Sequence, residues 1–242
     1  MNSRTAAGGT CAPSAHSANR IPVRRSLTAK SLTLVLALAA APGPARAVDL
    51  VVSVVDRDGK PLTGVVVTAV DSGSARAARA PATAVMDQQH LEFVPQVLVI
   101  ATGSTVEFPN SDSVSHQVYS FSPAKRFQLP LYKGAPHPPV VFDRAGLVVL
   151  GCNIHDGMVG YIDVTDAPYF GQTDSAGSLR LTDVAPGSYQ LAVWGPRIAD
   201  PPSNLTRTVS VGPTGETRAE FRLTSPLRAR PEPRPRRSDW DY

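Results

Sequence analysis

The chain has little of what helices are made from. After Ala47, apolar residues almost never recur at the three- and four-residue spacing of an amphipathic helix, so nothing there supports a helix-built fold. Cysteine is nearly absent: there are two, Cys11 close to the start and Cys152 in the middle. That excludes a disulfide framework. Paired carboxylates in a pocket-like setting, a Ser/His/Asp set, a phosphate-cradling glycine loop and a haem-attachment motif are all missing, as is any internal repeat. The longest apolar run, "SLTLVLALAAA" (31–41), is too short to span a bilayer.

What is present begins with an address. Arg20, Arg24, Arg25 and Lys30 precede that apolar run, and "PARA" (44–47) supplies the small residues a signal peptidase reads. Residues 1–47 therefore read as a signal peptide cleaved after Ala47, which places the protein in the periplasm with no membrane span left. Arg24-Arg25 hints at twin-arginine export. The leader holds six of the 24 basic residues and none of the 20 acidic ones, so the exported chain has a formal charge of −2. The basic character of the whole chain belongs to the leader, and no nucleic-acid partner follows from it. The tail, 225–242, carries five arginines and four prolines and reads as a disordered Pro/Arg-rich segment.

Between leader and tail, short β-branched and aromatic runs alternate with Gly, Pro, Asp and Asn. That is the pattern of antiparallel β-sandwiches, an all-β fold. About 195 residues suit two small domains. "DSGSARAARAPAT" (71–83) reads as a linker, and a second boundary falls near "DAPYFGQ" (166–172). Every cluster of metal-capable side chains lies between them, in roughly 82–166.

Cys152 leaves with no partner thiol once Cys11 is removed. In an oxidising compartment it must be buried, joined to another chain or bound to a metal. Period-two alternation puts Val148, Leu150 and Cys152 on one strand face, and Met158, Ile162 and Val164 with Gly160 on another. His155 lies in the turn between. His116, after the loop "PNSDSVS" (109–115), opens a predicted strand over 116–122 and is the one further imidazole that antiparallel pairing would bring to the same pole. Two histidines and a cysteine with a more distant methionine suit copper in both oxidation states. Inert burial would explain Cys152 or Met158 singly, but not the shared spacing. Asp156 could offer oxygen to zinc, yet a structural zinc site wants four firm ligands and rarely takes a thioether. His90 reads as a surface residue and His137, between prolines, as a loop histidine without a partner.

The stretches "LEFVPQVLVIATGSTVEFPNSDSVSHQV" (91–118) and "VVFDRAGLVVLGCNIHDGMVGYIDV" (140–164) resemble the cupredoxins, the type 1 blue copper proteins, and amicyanin and plastocyanin in particular. The exported chain is similar to periplasmic proteins labelled methylamine-utilisation-like. The resemblance implies a Greek-key β-sandwich over 82–166 with one type 1 copper held by His116, Cys152 and His155, and by Met158 axially. It implies supporting roles for Asn110 and for the backbone N–H of residue 117, which would donate to the thiolate. The sequence departs from the family in having Gln117 where asparagine is common and Asp156 beside His155, a carboxylate that should favour Cu(II) and alter partner choice. The flanks 48–70 and 171–196 resemble the halves of a carboxypeptidase-regulatory-like, transthyretin-like (Ig-like) sandwich. The expected domains are then 48–81 and 167–224 for that sandwich, with the cupredoxin inserted. An alternative gives the first strands to the cupredoxin.

The function these residues imply is an exported, monomeric single-electron carrier rather than an enzyme, docking transiently with redox proteins such as a dehydrogenase or cytochrome. A copper-delivery protein is one alternative, and a carbohydrate- or protein-binding module without metal is another. A nitrite reductase would need a second copper site, which the sequence does not offer.

Overall fold

In the computed structural model, residues 48–73, 77–134 and 137–229 are described. The leader, and the tail beyond residue 229, lie outside them. Seventeen strands run along this part of the chain. They are β1 (Val48–Val55), β2 (Val66–Asp71), β3 (Thr83–Val85), β4 (Asp87–Gln89), β5 (Glu92–Val94) and β6 (Val97–Ala101). There follow β7 (Ser104–Glu107), β8 (Tyr119–Ser122), β9 (Lys125–Gln128), β10 (Val140–Phe142), β11 (Gly146–Gly151) and β12 (Val159–Thr165). The last are β13 (Tyr169–Gln172), β14 (Ser178–Val184), β15 (Gly187–Trp194), β16 (Thr206–Val211) and β17 (Thr217–Arg222). The fold is all-β, and no described helix is long and apolar enough to cross a membrane.

The strands make two separate cores. In the first, the sheet β14-β1-β17 faces the sheet β13-β2-β15-β16. Strict alternation in β1 sends Val48, Leu50, Val52 and Val54 inward, where they meet Tyr189, Leu191 and Phe221. Strands β1 and β2 thus share a core with β13–β17, although the whole of 83–165 separates them in sequence. In the second, the five-stranded sheet β6-β12-β11-β8-β9 packs over β10-β7-β3 and the hairpin β4-β5. Phe93, Phe108, Phe142, Val148, Leu150 and Ile162 fill its centre, each worth about 1.5–3 kcal/mol of burial.

One sequence expectation is corrected here. The strand predicted from His116 begins only at Tyr119. His116 exchanges both backbone bonds with Tyr132, and Val118 accepts from Leu129 N–H, so 116–118 continues the β8-β9 pairing one residue out of register, as a bridge rather than a strand.

The two cores meet along β12. Its alternation puts Gly160, Ile162 and Val164 into the second core and turns Tyr161 and Asp163 to the other face. The Tyr161 ring lies edge-on to Trp194 of β15, with centroids 5.7 Å apart. Gln172 of β13 donates to Gly64 O at 3.3 Å and Val97 O at 3.2 Å, a second link. The carboxylate of Asp163 finds no hydrogen bond or ion pair among the described residues, and burial pushes its pKa up. A raised folded-state pKa means the carboxylate opposes folding once pH exceeds the ordinary carboxylate range. Asp163→Asn should therefore raise Tm at pH 7. The gain should shrink as pH falls through that range, as thermal melts at pH 7 and pH 4 would record.

Candidate metal centre

Strand β11 carries Val148, Leu150 and Cys152 along one buried face, as alternation requires. The backbone pair Gly151↔Val159 then closes a loop over 152–158, with Gly157 at φ +86° supplying the left-handed turn that a side chain would resist. Met158 N–H donates to His155 O at 3.3 Å, which curls the loop so that the imidazole folds back over the sulfur. Met158 is 3% exposed and shares the second core with Cys152.

His116 reaches this pole because the pair Gly151↔Tyr119 sets β8 beside β11, and His116 lies three residues before Tyr119. Its Nδ1 is 3.0 Å from Nδ1 of His155 and 3.8 Å from Sγ of Cys152, and the remaining side of the triangle, Cys152 Sγ to His155 Nδ1, is 3.6 Å. Exposure is 0% for His116, 8% for His155 and 6% for Cys152. No other group of three such ligands gathers among the described residues.

Donors bound at about 2.0 Å for nitrogen and 2.3 Å for sulfur sit roughly 3–4 Å from one another around one ion. The triangle has that size. A buried thiol between two imidazoles, with a thioether in the same core, is a soft and borderline set that fits copper. The residues fit the ion the sequence implies.

The loop before His116 is braced from below. Asn110, buried, donates to Val114 O at 3.0 Å and Tyr132 O at 2.9 Å, and accepts from Asp112 N–H at 3.0 Å. Tyr132 in turn donates its hydroxyl to Phe108 O at 2.6 Å and accepts from Gln88 Nε2 at 2.5 Å. Burial pushes the Tyr132 phenol up to about 12. Its role escaped the sequence reading.

So did Asp112, four residues before His116. Asp112 Oδ2 lies 3.0 Å from His116 Nε2 and accepts from Leu91 N–H at 2.8 Å, while Oδ1 accepts from Ser113 N–H at 2.7 Å. The Leu91 N–H, then His116, hold this carboxyl down at about 2. The signal was there in the spacing D-x-x-x-H, but the pattern is too common to single out.

Gln117 is half-buried, on the opposite side of the chain from His116 and Val118, and its N–H makes no hydrogen bond to the sulfur among the described residues. The sulfur's neighbours are the two imidazoles instead. Asp156 is exposed beside His155. His90 is exposed in the β4-β5 turn at φ +54°. His137 does have a partner, against expectation: its ring lies edge-on to Tyr132, with centroids 4.6 Å apart, because 129–132 is pinned to the His116 segment.

No family model matches the chain, and no curated protein does. Among solved structures the chain is similar to a purple cupredoxin from Nitrosopumilus maritimus, at 26% identity over 34% of this chain and 99% of that one, with a TM-score of 0.31. It is similar also to a reduced-state amicyanin variant, at 22% identity over 40% of this chain and 99% of that one, with a TM-score of 0.32. A third is the copper-containing nitrite reductase of Thermus scotoductus SA-01, at 26% identity, 46% of this chain, 28% of that one and a TM-score of 0.32.

Proposed function

We propose that this chain is an exported type 1 copper protein of the cupredoxin kind, carrying single electrons between redox partners. The observation that carries the reading is the triangle of His116 Nδ1, His155 Nδ1 and Cys152 Sγ, closed to solvent at the end of a β-sandwich core. His116, Cys152 and His155 would hold the ion, with the thioether of Met158, buried in the same core, as a further donor. Copper supplies the one-electron couple; the protein supplies nearly everything else. Cys152 and Met158 offer sulfur to the reduced ion, the imidazoles offer nitrogen to the oxidised one, and the paired strands on either side keep the donors from moving between them. Little rearrangement then stands in the way of the electron.

Of the two imidazoles His155 is the more exposed, so the face around it is the surface we assign to transient docking with a dehydrogenase or cytochrome. No catalytic step is needed, because one electron enters and leaves and no bond is made. The deep burial of all three donors favours a carrier over a protein that hands copper on, since delivery needs an exposed ion. We assign the sandwich of β1, β2 and β13–β17 to a carboxypeptidase-regulatory-like domain into which the copper domain is inserted, and the sequence 1–47 to the export signal.

The test is a titration of the metal-free chain 48–242 with Cu(II). The reading expects one equivalent bound and an intense visible absorption from thiolate-to-copper charge transfer, bleached reversibly by one electron. Weak absorption with copper passed readily to an acceptor protein would favour delivery. Failure to retain copper would leave a binding module without metal.

A further inference from the structure

The copper reading uses Nδ1 of His116 and says nothing about the other nitrogen of the ring. That nitrogen meets a carboxylate. We propose that Asp112 is the positioning residue of the centre: its Oδ2 takes the Nε2–H of His116, fixes the ring in the tautomer whose Nδ1 lone pair faces Cys152 and His155, and biases the site toward Cu(II). The inference rests on the copper reading for its redox half, while the orienting half can be examined without metal.

The geometry is built for this. Asp112 Oδ2 is 3.0 Å from Nε2, and the same oxygen is steered by the Leu91 N–H from the turn of the β4-β5 hairpin. The second oxygen is held by Ser113 N–H and the backbone of Asp112 by Asn110 Oδ1. Three donors, Leu91 N–H and His116 Nε2 on one oxygen and Ser113 N–H on the other, hold the carboxylate against swinging away. His116 is wholly buried, and among the described residues the carboxylate is its only acidic contact. A neutral imidazole has one N–H proton to place on one of its two nitrogens. With Nε2–H donated to a carboxylate, Nδ1 is left as a lone pair, and it faces an imidazole at 3.0 Å and a sulfur at 3.8 Å. An anion at the far edge also makes the imidazole a stronger donor. That helps Cu(II), the more highly charged ion, more than Cu(I).

Two variants separate charge from shape. Asp112→Asn keeps an oxygen where Oδ2 sits and removes the negative charge; Asp112→Ala removes both. In each, Cu(II) affinity should fall roughly 10- to 100-fold, with a smaller change for Cu(I). The reduction potential should rise by about 60 mV for each tenfold of that difference. The metal-free proteins give an independent readout. Nitrogen NMR of the wild type should show His116 as the Nε2–H tautomer, and Asp112→Ala should show a mixture. A purely structural role for Asp112 would lower Tm and leave potential and tautomer alone.

An unchanged potential in Asp112→Asn, or an Nδ1–H tautomer in the wild type, overturns the proposal. A wild type that takes up no copper but holds His116 as Nε2–H would instead sink the proposed function and leave the orienting role standing.

Discussion

Cys152→Ser should abolish the visible charge-transfer band of the copper-loaded chain while leaving the sandwich folded. The band requires a sulfur orbital close to the ion, and a serine hydroxyl has none to offer. The two imidazoles remain, 3.0 Å apart at Nδ1, so some Cu(II) should still bind, weakly and with the pale colour of nitrogen and oxygen ligation. Fold loss is not the expected cause. The sulfur sits at the edge of the second core rather than in its middle, and the swap shortens one side chain by little. A cost of about 1–2 kcal/mol is what placing a hydroxyl there should bring. Absorption spectra with a thermal melt of the same sample decide it. An intense band surviving in the variant would mean the thiolate is not a ligand.

The second large effect concerns what holds the pole in place. Phe93, on the short hairpin β4-β5, is 1% exposed and packs against the bare backbone of Gly160. A Cβ built at Gly160 would come within 2.9 Å of its ring carbons. Gly160 is there because the ring needs the space, and it stands only two residues past Met158. Phe93→Ala should cost about 3–5 kcal/mol, through lost burial and a cavity that the flanking sheets cannot close. Gly160→Val should cost about 1–3 kcal/mol by forcing the ring outward. The two should not add, because removing the ring makes room for the valine. Urea unfolding of the three variants reads this out. A strictly additive pair, or a Phe93→Ala penalty below about 1 kcal/mol, would show that the hairpin is an ornament. Bound copper should recover part of the loss, since an ion that binds only the folded state stabilises it.

Much of this was legible in the sequence, and for a definite reason. Val148, Leu150 and Cys152, like Gly160, Ile162 and Val164, lie in strands with one face buried, where period two dictates direction. The turn between them was marked by Gly151 and Gly157. His116 was harder. Its strand was predicted three residues too early, because the pairing of 116–118 with 129–132 steps one residue out of the β8-β9 register and leaves only a bridge at His116. Short strands such as β3, β4 and β5 left no pattern, since three residues cannot show a period. Strand β16 was passed over because its residues are largely exposed and polar, so it lacks the alternation that betrays a half-buried strand. Asp112 and Tyr132 stayed hidden for a different reason. Each matters through one contact made across the fold, and neither a lone carboxylate nor a lone tyrosine announces its partner.

The pairing of β1 and β2 with the strands after residue 168 has a practical side. The N-terminal strands are not spare. Deleting 48–71 would leave β15 and β14 with open edges and strip Val52, Val54 and Val67 from the first core.

The claim on which everything turns is that one thiolate and two imidazoles grip a single ion. X-ray absorption at the copper edge, on the chain 48–242 loaded with one equivalent, addresses it without any assumption about partners. The account predicts one sulfur at roughly 2.2–2.3 Å together with two nitrogens near about 2.0 Å. A shell of nitrogen and oxygen alone, with no sulfur, would contradict it.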